Sequence, residues 1–353
     1  MVIEDTHFLS KLSNREPLVD TETLKFHSLD FGPAKESGTF ERIRNARSAH
    51  KKIKKLVKEH RPDIVIVDCF HFLRIWPRFT FRWLRRFRKR MSLITVYHHY
   101  LYQSFTGLNR MAVKHIENYC LKRSDNIIFS CPPTYETSEH IRESRNRLKF
   151  SLPLLAVEDT PLRGINKESH QICYVGNVVR AKGILELIQS LGIVKNEIPN
   201  VKLKIAGTFN TATGFHSEVE QLVTELNLQN NVDFLGTVSD EVRDKLLDES
   251  MAFVFPSFNE GYGIAMVEAM KFSLPVIAWD ISAMPYTVKH EQNGLLVPPN
   301  DIKGFADAIV TILNDSSLRD LLSKGARSHF ESLPTKEQEK ESVLSFLNRF
   351  NAQ

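Results

Sequence analysis

The sequence of 353 residues contains few cysteines and no long hydrophobic run. Its four cysteines (Cys69, Cys120, Cys131 and Cys173) lack Cys-x-x-Cys spacing, so they imply neither a zinc site nor a disulfide framework, and we expect small core residues. No run reaches the roughly 18 apolar residues of a membrane span, and the first residues lack the basic and then apolar pattern of a signal peptide. These absences predict a globular protein of the cytoplasm.

The net charge of +5 conceals an uneven distribution of charge. Residues 1–150 hold 29 Lys and Arg against 16 Asp and Glu, whereas the remaining residues hold 18 against 26. A basic half favours an anionic partner, such as a phospholipid headgroup, a phosphorylated acceptor or nucleic acid. We therefore expect the two halves to bind different partners.

Apolar strands and amphipathic helices alternate along the chain, which predicts two parallel α/β sheets. Within the first 30 residues, only 24–29 is a strand candidate. The stretch 150–164, which contains two prolines with Ser, Thr and Gly, predicts an interdomain linker. The sequence thus predicts domains at 1–155 and 156–335, followed by a charged final helix at 336–353.

The segment MAFVFPSFNEGYGIAMVEAMKFSLPVIAWD, residues 251–280, has the strongest pattern in the sequence. It predicts a strand, a loop, a helix and a second strand. Gly261 and Gly263 lie at the strand-to-helix turn, where backbone N–H groups and the positive helix end can approach a phosphate closely. Glu260 precedes the turn and Glu268 follows it, so two carboxylates bracket the phosphate site and suit sugar hydroxyls. A nucleoside diphosphate sugar has this layout.

The string EGYGIAMVEAM, with SLPVIA behind it, resembles the E-x7-E segment of glycosyltransferase family 4, the glycosyl transferases group 1. The resemblance implies retaining enzymes of the GT-B fold, in which two Rossmann-like doubly wound domains face a cleft. It also implies that Glu260 contacts the donor sugar, that Glu268 contacts the ribose, and that the backbone of Gly261 to Gly263 holds the diphosphate. The final helix would then cross back to the N-terminal, acceptor-side domain.

The resemblance covers most of the second domain, about residues 171–315. YVGNVVRAKGILELI is similar to the strand, loop and helix that supply cationic contacts to the diphosphate, although a single loop lysine such as Lys182 is more often simply solvated. IAGT and LGTV fit the two strand ends beside the nucleotide base. The donor-binding residues that the resemblance implies are Gly176, Asn177, Arg180, Lys182, Gly207, Val238, Glu260, Gly261, Tyr262, Gly263, Ile264 and Glu268.

Three departures from the family pattern keep other functions open. Asn177 stands where Arg is usual, and Arg180 is the candidate substitute. The loop after Trp279 has Tyr286 where Glu is usual. Residues 1–40 contain no glycine-rich loop, so we expect the N-terminal domain to be reduced at its start. A non-catalytic GT-B subunit that binds nucleotide sugar, or another GT-B enzyme such as an epimerase or a phosphorylase, is therefore the alternative function.

The resemblance implies four catalytic candidates. Lys182 and Glu260 lie in the donor domain, and the family places a histidine after an N-terminal strand, where SLITVYHHY offers His98 and His99. We favour His98, and the alternative is that both are polar residues at a strand end. Asp68, which ends the strand IVIV, is a weaker candidate. No cofactor or metal is expected, since Lys182 supplies positive charge and the sequence lacks the Asp-x-Asp motif of metal-dependent glycosyltransferases.

The stretch from Phe72 to Arg90 interleaves eight basic residues with Phe, Trp and Leu. It could be a solvated basic face, a membrane-surface helix with its aromatics among lipid headgroups, or a nucleic-acid-binding segment. Many family members act on lipid-linked acceptors, which favours the membrane, and no nucleic-acid partner is expected. The sequence thus predicts a retaining, metal-independent hexosyltransferase of the cytoplasm or the inner membrane face, acting on a glycan or lipid acceptor.

Overall fold

A computed structural model gives the structure of the chain. It describes residues 2–5, 26–29, 39–69, 77–87, 89–98, 107–129, 147–149, 170–209 and 214–335, with residues 72, 75, 134–135, 337–338, 341 and 345. The chain divides into two compact units, which are Met1–Leu152 with Lys336–Gln353 (unit 1) and Pro153–Thr335 (unit 2). The predicted linker and most of the predicted final helix lie outside the described residues.

Unit 1 is built on a six-stranded parallel sheet with the order β2-β1-β3-β4-β5-β6. The strands are β1 (Val2–Asp5), β2 (Phe26–Leu29), β3 (Ile64–Asp68), β4 (Ser92–Tyr97), β5 (Asn126–Phe129) and β6 (Arg147–Lys149). The helices are α1 (Thr39–His60), α2 (Pro77–Leu84) and α3 (Gly107–Leu121), with a short 3₁₀ turn at Arg85–Phe87. Parallel neighbours need crossover connections, which is why the chain alternates between apolar strands and helices.

Two short strands of unit 1 escaped prediction. The candidate at 24–29 is confirmed as β2, but β1 also lies within the first 30 residues and pairs with β2 and β3. The expectation of a single strand there is therefore wrong. Strands β1 and β6 have only four and three residues, too few for a period to be recognised.

The basic and aromatic stretch 72–90 is not one continuous helix. Pro77 is the first residue of α2. Proline is favourable there because the N–H groups in the first turn of a helix have no acceptor within the helix, so the missing N–H costs no hydrogen bond. Phe72 and Phe81 are fully buried and meet edge to face, with ring centroids 5.6 Å apart. The expectation that the aromatics of this stretch lie among lipid headgroups is wrong for these two rings. Of the aromatic residues that the structure describes in the stretch, Phe79 is the exposed one, at 53%.

Unit 2 is built on a second six-stranded parallel sheet with the order β12-β11-β10-β7-β8-β9. The strands are β7 (Gln171–Val175), β8 (Lys202–Ala206), β9 (Val232–Gly236), β10 (Ala252–Phe255), β11 (Val276–Trp279) and β12 (Gly294–Val297). The helices are α4 (Ile184–Glu197), α5 (Phe215–Glu225), α6 (Asp240–Glu249), α7 (Ile264–Lys271), α8 (Met284–Thr287), α9 (Ile302–Asn314) and α10 (Ser316–Glu331).

This strand order positions the candidate site. It is the order of the doubly wound Rossmann fold, in which the direction of winding reverses between the two central strands, here β7 and β10. Ligands of such sheets bind beyond the carboxyl ends of the strands at this reversal. Every residue of β10 and β11 is buried, which explains their unbroken apolar sequences.

The predicted elements of unit 2 are found close to their expected bounds, but two helices were missed, α6 and the four-residue α8. Helix α6, DEVRDKLLDE, has few apolar residues and buries Leu246, Leu247 and Asp248, so its sequence shows no clear apolar period. In the described part of the chain, every helix is either too short or too polar to span a bilayer.

Candidate functional site

The loop between β7 and α4 lies where the winding of the unit 2 sheet reverses. Gly176 and Gly183 bracket it with φ angles of 155° and 69°, which favour glycine. A Cβ on Gly183 would lie 1.9 Å from the carbonyl oxygen of Pro256, in the loop after β10. The N–H of Phe258 in that second loop donates to the carbonyl of Ala181 at 3.0 Å. Glycine therefore lets the two loops pack backbone against backbone.

The second loop, 256–263, leads from β10 into α7. Gly263, with a φ of 80°, is the N-terminal cap of α7. The first N–H groups of a helix lack acceptors within the helix, so this end of α7 can bind an anion. The hydroxyl of Ser282 accepts from the Glu260 N–H at 3.2 Å and donates to the Glu260 carbonyl at 2.8 Å. Thr287 donates to the carbonyl of Tyr262 at 3.0 Å, so the loop backbone is held at two points.

Lys182 and Glu260 form an ion pair that joins the two loops. Their side chains are 23% and 15% exposed. The hydroxyl of Ser257 donates to the same Glu260 oxygen at 3.3 Å, and the Lys182 ammonium lies 5.5 Å from the centroid of the Phe255 ring. The structure thus brings together two predicted catalytic residues that are 78 positions apart in the sequence.

Tyr174 on β7 supports the first loop. Its ring stacks on Phe255 with the centroids 5.8 Å apart, and its hydroxyl donates to the carbonyl of Asn177 at 3.1 Å. Burial, together with the nearby Glu260 carboxylate, raises the pKa of Tyr174, so the hydroxyl remains a neutral donor. The backbone of Asn177 is therefore fixed, while its side chain is exposed.

Arg180 occupies a different position from Lys182. It pairs with Glu218 on α5, its side chain is 65% exposed, and its guanidinium lies 5.2 Å from the centroid of the Phe215 ring. The structure therefore places Arg180 against α5, whereas Lys182 points to the second loop.

Glu268 lies on α7 and forms an ion pair with Arg243 on α6. Its carboxylate is 3.7 Å from the guanidinium of Arg243, which also contacts Asp240 and Asp244 at 2.7 Å each. Burial opposes the charge of Arg243, but the carboxylates of Asp244, Glu268 and Asp240 outweigh it and raise its pKa. Sequence reasoning missed Arg243 because it lies on the unpredicted helix α6.

The residues that follow β8 and β9 lie at the carboxyl ends of the strands of the unit 2 sheet. The N–H of Gly207 donates to the carbonyl of Gly236 at 2.8 Å, and a Cβ on Gly207 would lie 1.7 Å from the oxygen of Gly176. Val238 follows β9 and is half-buried. The predicted positions beside the base thus lie at the carboxyl ends of β8, which neighbours β7, and of β9, the next strand of the sheet.

In unit 1 two polar candidates lie close together at the carboxyl ends of neighbouring strands. Asp68 ends β3, and His98 follows the neighbouring parallel strand β4. Nε2 of His98 lies 2.7 Å from Oδ2 of Asp68, and the side chains are 19% and 31% exposed. The hydroxyl of Thr134 donates to the His98 carbonyl at 3.0 Å. His99 lies outside the described residues.

The cysteines that the structure describes are core residues, as predicted. Cys69, Cys120 and Cys173 are free and buried, and Cys131 lies outside the described residues. Burial raises the pKa of Cys173 to about 12. In the described part of the chain, no group of three or more His, Cys, Asp and Glu side chains could hold a metal ion.

A family model identifies the segment that carries these loops. The model for glycosyl transferases group 1 matches residues 158–329. The segment includes Lys182, Glu260 and Glu268, so the predicted resemblance is confirmed for unit 2.

Curated relatives of the group 1 segment carry glycosyltransferase names. The chain is 31% identical over 202 residues to the capsular polysaccharide biosynthesis glycosyltransferase CapM of Staphylococcus aureus, which covers 57% of this chain and 52% of CapM. It is 25% identical over 187 residues to a D-inositol 3-phosphate glycosyltransferase of Paenarthrobacter aurescens, with 52% and 45% covered. The chain spans about half the length of the curated relatives it matches.

Solved structures confirm the predicted fold class. Sucrose-phosphate synthase from Thermosynechococcus elongatus aligns with a TM-score of 0.76 at 21% identity, covering 100% of this chain and 88% of that chain. HepE from Anabaena, solved with UDP and glucose, aligns with a TM-score of 0.69 at 16% identity, covering 97% and 89%. At such identities the likeness shows the fold alone, and the chain has the GT-B fold, with two Rossmann-like units.

Proposed function

We propose that the chain is a glycosyltransferase that moves a hexose or a hexose derivative from a nucleoside diphosphate sugar to an acceptor. The observation that carries the proposal is the ion pair between Lys182 and Glu260 at the winding reversal of a group 1 sheet. One partner suits a phosphate and the other suits a sugar hydroxyl. When a donor that contains both groups binds, Lys182 contacts its phosphate and Glu260 contacts its sugar hydroxyl, and these two contacts replace the ion pair.

Lys182 and the N-terminal end of α7 bind the diphosphate in this proposal. The Lys182 ammonium forms charge-assisted hydrogen bonds with phosphate oxygens, and the backbone N–H groups from Gly261 to Ile264 face the same anion. Negative charge grows on the diphosphate as it leaves, so these groups bind the transition state more tightly than the donor. They supply positive charge for a leaving diphosphate without a metal ion.

The two glutamates bind the hydroxylated parts of the donor. Glu260, whose backbone is fixed by Ser282, accepts from hydroxyls of the transferred sugar. Glu268, one to two helical turns into α7, accepts from the ribose. HepE and the pneumococcal O-GlcNAc transferase GtfA were both solved with UDP, which makes uridine diphosphate sugars the first donors to test.

We further propose transfer with retention of configuration. The bond between the anomeric carbon and the leaving diphosphate breaks, and the acceptor hydroxyl oxygen bonds to that carbon from the same face. The hydroxyl proton passes to an oxygen of the leaving phosphate, so the protein needs to supply little acid or base. His98 is the proposed catalytic residue of unit 1.

The described surface of unit 1 supports an acceptor at an anionic membrane. Exposed basic residues recur every three or four positions along α1, and they are Arg44, Arg47, Lys51, Lys55 and Lys58. The ammonium of Lys54 lies 5.6 Å from the centroid of the Trp83 ring, which joins α1 to α2 and its exposed Phe79. Cationic residues beside an exposed ring suit a bilayer that contains anionic lipid. A lipid-linked or membrane-associated glycan is the acceptor class that fits such a location.

A vesicle experiment tests this membrane contact. The chain is expected to sediment with vesicles that contain anionic lipid, and added salt is expected to weaken binding because exposed charges are screened. Replacing Lys51 and Lys55 by Gln should weaken sedimentation more than replacing Lys245 and Lys303 of unit 2, whose side chains are 65% and 76% exposed. Equal effects of the two pairs would contradict a role for α1.

A turnover experiment tests the function itself. The purified chain is incubated with uridine, guanosine and adenosine diphosphate sugars and a membrane lipid extract, and the released nucleoside diphosphate is measured. Lys182→Met is expected to lower release by about 100-fold or more, the size of effect seen when a group that stabilises transition-state charge is removed. Lys195→Met is the control, because Lys195 on α4 donates to the Asn227 carbonyl outside the two loops. The anomeric configuration of the product then tests retention.

A non-catalytic subunit that binds nucleotide sugar is the second candidate. The exposed side chain of Asn177, at a position where the family usually has Arg, favours it, because one cation fewer then faces the leaving diphosphate. Donor binding without release of nucleoside diphosphate from any donor would make this candidate the better account.

A further inference from the structure

We propose that Arg78 and Arg123, arranged around the ring of Tyr119, form a binding site for a phosphate monoester on unit 1. Such an ester has two sources, a lipid headgroup and a small soluble molecule. The lipid source rests on the membrane contact in the proposed function. The site itself depends only on described residues of unit 1.

The ring of Tyr119 brings the two guanidinium groups together. Tyr119 is half-buried in the last turns of α3, and its hydroxyl donates to the carbonyl of Arg78 on α2 at 3.1 Å. The guanidinium carbon of Arg123 lies 3.6 Å from the centroid of this ring, and that of Arg78 lies 6.0 Å from it. Two positive charges are thus held around one ring, and a bound anion would offset their repulsion.

Neither Arg78 nor Arg123 pairs with a carboxylate in the part of the chain that the structure describes. The stretch 72–90 contains eight basic residues and no acidic one. Asp125, two residues after Arg123, is already engaged, because it contacts Arg85 at 2.7 Å. The charge of the two guanidinium groups is therefore available to a ligand.

The chemistry of arginine favours a compact anion with two negative charges. Stacking on an aromatic ring uses the face of the guanidinium plane and leaves the N–H donors at its edge available, where they fit two phosphate oxygens. A phosphate monoester carries about −1.5 to −2 charges at pH 7 and has three strong acceptor oxygens, so one ester can bind two guanidinium groups. A carboxylate or a phosphodiester has one charge and two such oxygens. A monoester is therefore the ligand class that fits the pair.

The basic face of α1 differs from this pair in chemistry. Lys51 and Lys55 are exposed, and the ammonium of a lysine is a point charge without the planar fork of arginine. We therefore expect α1 to respond to the charge of a surface, and Arg78 and Arg123 to respond to the kind of phosphate on it.

Vesicle binding of the full chain tests the lipid source. Phosphatidic acid presents a phosphate monoester, and phosphatidylserine vesicles matched to the same zeta potential do not. The wild type is expected to bind phosphatidic acid vesicles about tenfold more tightly, which is the effect of one charge-assisted hydrogen bond. The double variant Arg78→Lys with Arg123→Lys keeps both charges and is expected to bind the two kinds of vesicle equally.

Two controls separate the site from general charge. Arg61→Lys with Arg90→Lys changes two other exposed arginines of unit 1 and is expected to keep the preference for phosphatidic acid. Lys51→Gln with Lys55→Gln is expected to weaken binding to both kinds of vesicle alike.

Calorimetric titration with glycerol 3-phosphate tests the soluble source. All chains in this titration also carry Lys182→Met, which removes the proposed phosphate contact of the donor site. The site predicts that the Arg78→Lys and Arg123→Lys pair weakens binding about tenfold, whereas the Arg61→Lys and Arg90→Lys pair does not. If the chain bound no vesicle, the membrane contact of the proposed function would be refuted, and this titration alone would decide on the site.

Either a preference for phosphatidic acid or binding of glycerol 3-phosphate supports the site, provided that the Arg78→Lys and Arg123→Lys pair removes it. The inference would be overturned if this pair had no more effect than its control in both assays, or if the wild type showed neither the preference nor the binding.

Discussion

Both units of the chain fold as six-stranded parallel sheets, but they hold their functional groups in different ways. In unit 2 the candidate groups lie on two glycine-containing loops. The backbones of these loops pack so closely, as at Gly183 and Pro256, that a side chain larger than that of glycine would clash. In unit 1 the pair Asp68 and His98 comes from the ends of two neighbouring strands, and only the sheet register joins them. A site built from backbone geometry leaves a pattern in the sequence, whereas a site built from side chains on separate strands leaves almost none.

The largest expected effect tests the division of roles within the unit 2 pair. Glu260→Gln should lower glycosyl transfer by about 100-fold, since a carboxylate that binds the sugar in the transition state is replaced by an amide. The binding of free nucleoside diphosphate should be kept or strengthened, because Lys182 no longer has Glu260 as its partner. Product assays and calorimetric titration measure the two quantities.

Glu218→Gln is the control for this prediction, because Glu218 pairs with Arg180 and its side chain is 45% exposed. If Glu260→Gln weakened free nucleoside diphosphate as much as it slowed transfer, Glu260 would not have a separate role at the sugar.

The next effect concerns the backbone packing of the two loops. Gly183→Ala should lower the free energy of unfolding of unit 2 by about 2–5 kcal/mol, because a left-handed backbone and a clash with the Pro256 carbonyl combine. Gly214→Ala should cost about 1–2 kcal/mol, since Gly214 has a φ of 68° but no atom within 4 Å of the added Cβ. Denaturant unfolding measures both, and equal losses would mean that the loops do not depend on this contact.

A smaller effect is expected at Arg243. Arg243→Met should raise the Kd for nucleoside diphosphates about threefold to tenfold, because the loss of the guanidinium that pairs with Glu268 leaves this carboxylate poorly oriented for the ribose. The binding of inorganic pyrophosphate, which lacks a ribose, should not change. Arg327→Met, at a residue that contacts Glu331 at 2.6 Å, is the control. An equal loss for pyrophosphate would show that Arg243 acts on the phosphates.

The smallest effect is a common acid sensitivity of the two units. Burial and then Lys54 lower the pKa of His50 in unit 1, and burial and then Lys289 lower that of His329 in unit 2. The unfolded chain therefore binds more protons than the folded chain near pH 6.5, so stability should fall as pH drops through and below that value. Replacing each histidine by Gln should make the stability of the unit that contains it less dependent on pH, and thermal unfolding at a series of pH values measures this. Unchanged slopes would contradict neutral histidines in the fold.

The sequence predicted most of unit 2 because its strands β10 and β11 are apolar throughout and its turns contain glycine. The pairing of Lys182 with Glu260 was implied only through a family resemblance, since no local pattern links residues 78 positions apart. Arg243 and Ser282 were missed for different reasons. Helix α6 has no clear apolar period, and a loop serine that holds a backbone looks like any other serine.

The sequence was less informative about unit 1. Strands β1 and β6 are too short to show a period, and the aromatic stretch 72–90 looked like a surface element although Phe72 and Phe81 are core residues. Asp68 and His98 were each considered, but their contact depends on the register of β3 and β4, which a single sequence does not specify.

The most direct test of the account is a thermal-shift series with uridine, guanosine and adenosine diphosphates and their sugars. It compares the wild type with Lys182→Met, Glu268→Ala and the control Lys195→Met. At 100 times its Kd a ligand stabilises a protein by about 2.7 kcal/mol, which is readily measured. The account predicts that one nucleoside diphosphate stabilises the wild type and Lys195→Met, and stabilises the other two variants much less. Equal stabilisation of all four proteins, or no shift with any nucleotide, would contradict a donor site at Lys182, Glu260 and Glu268.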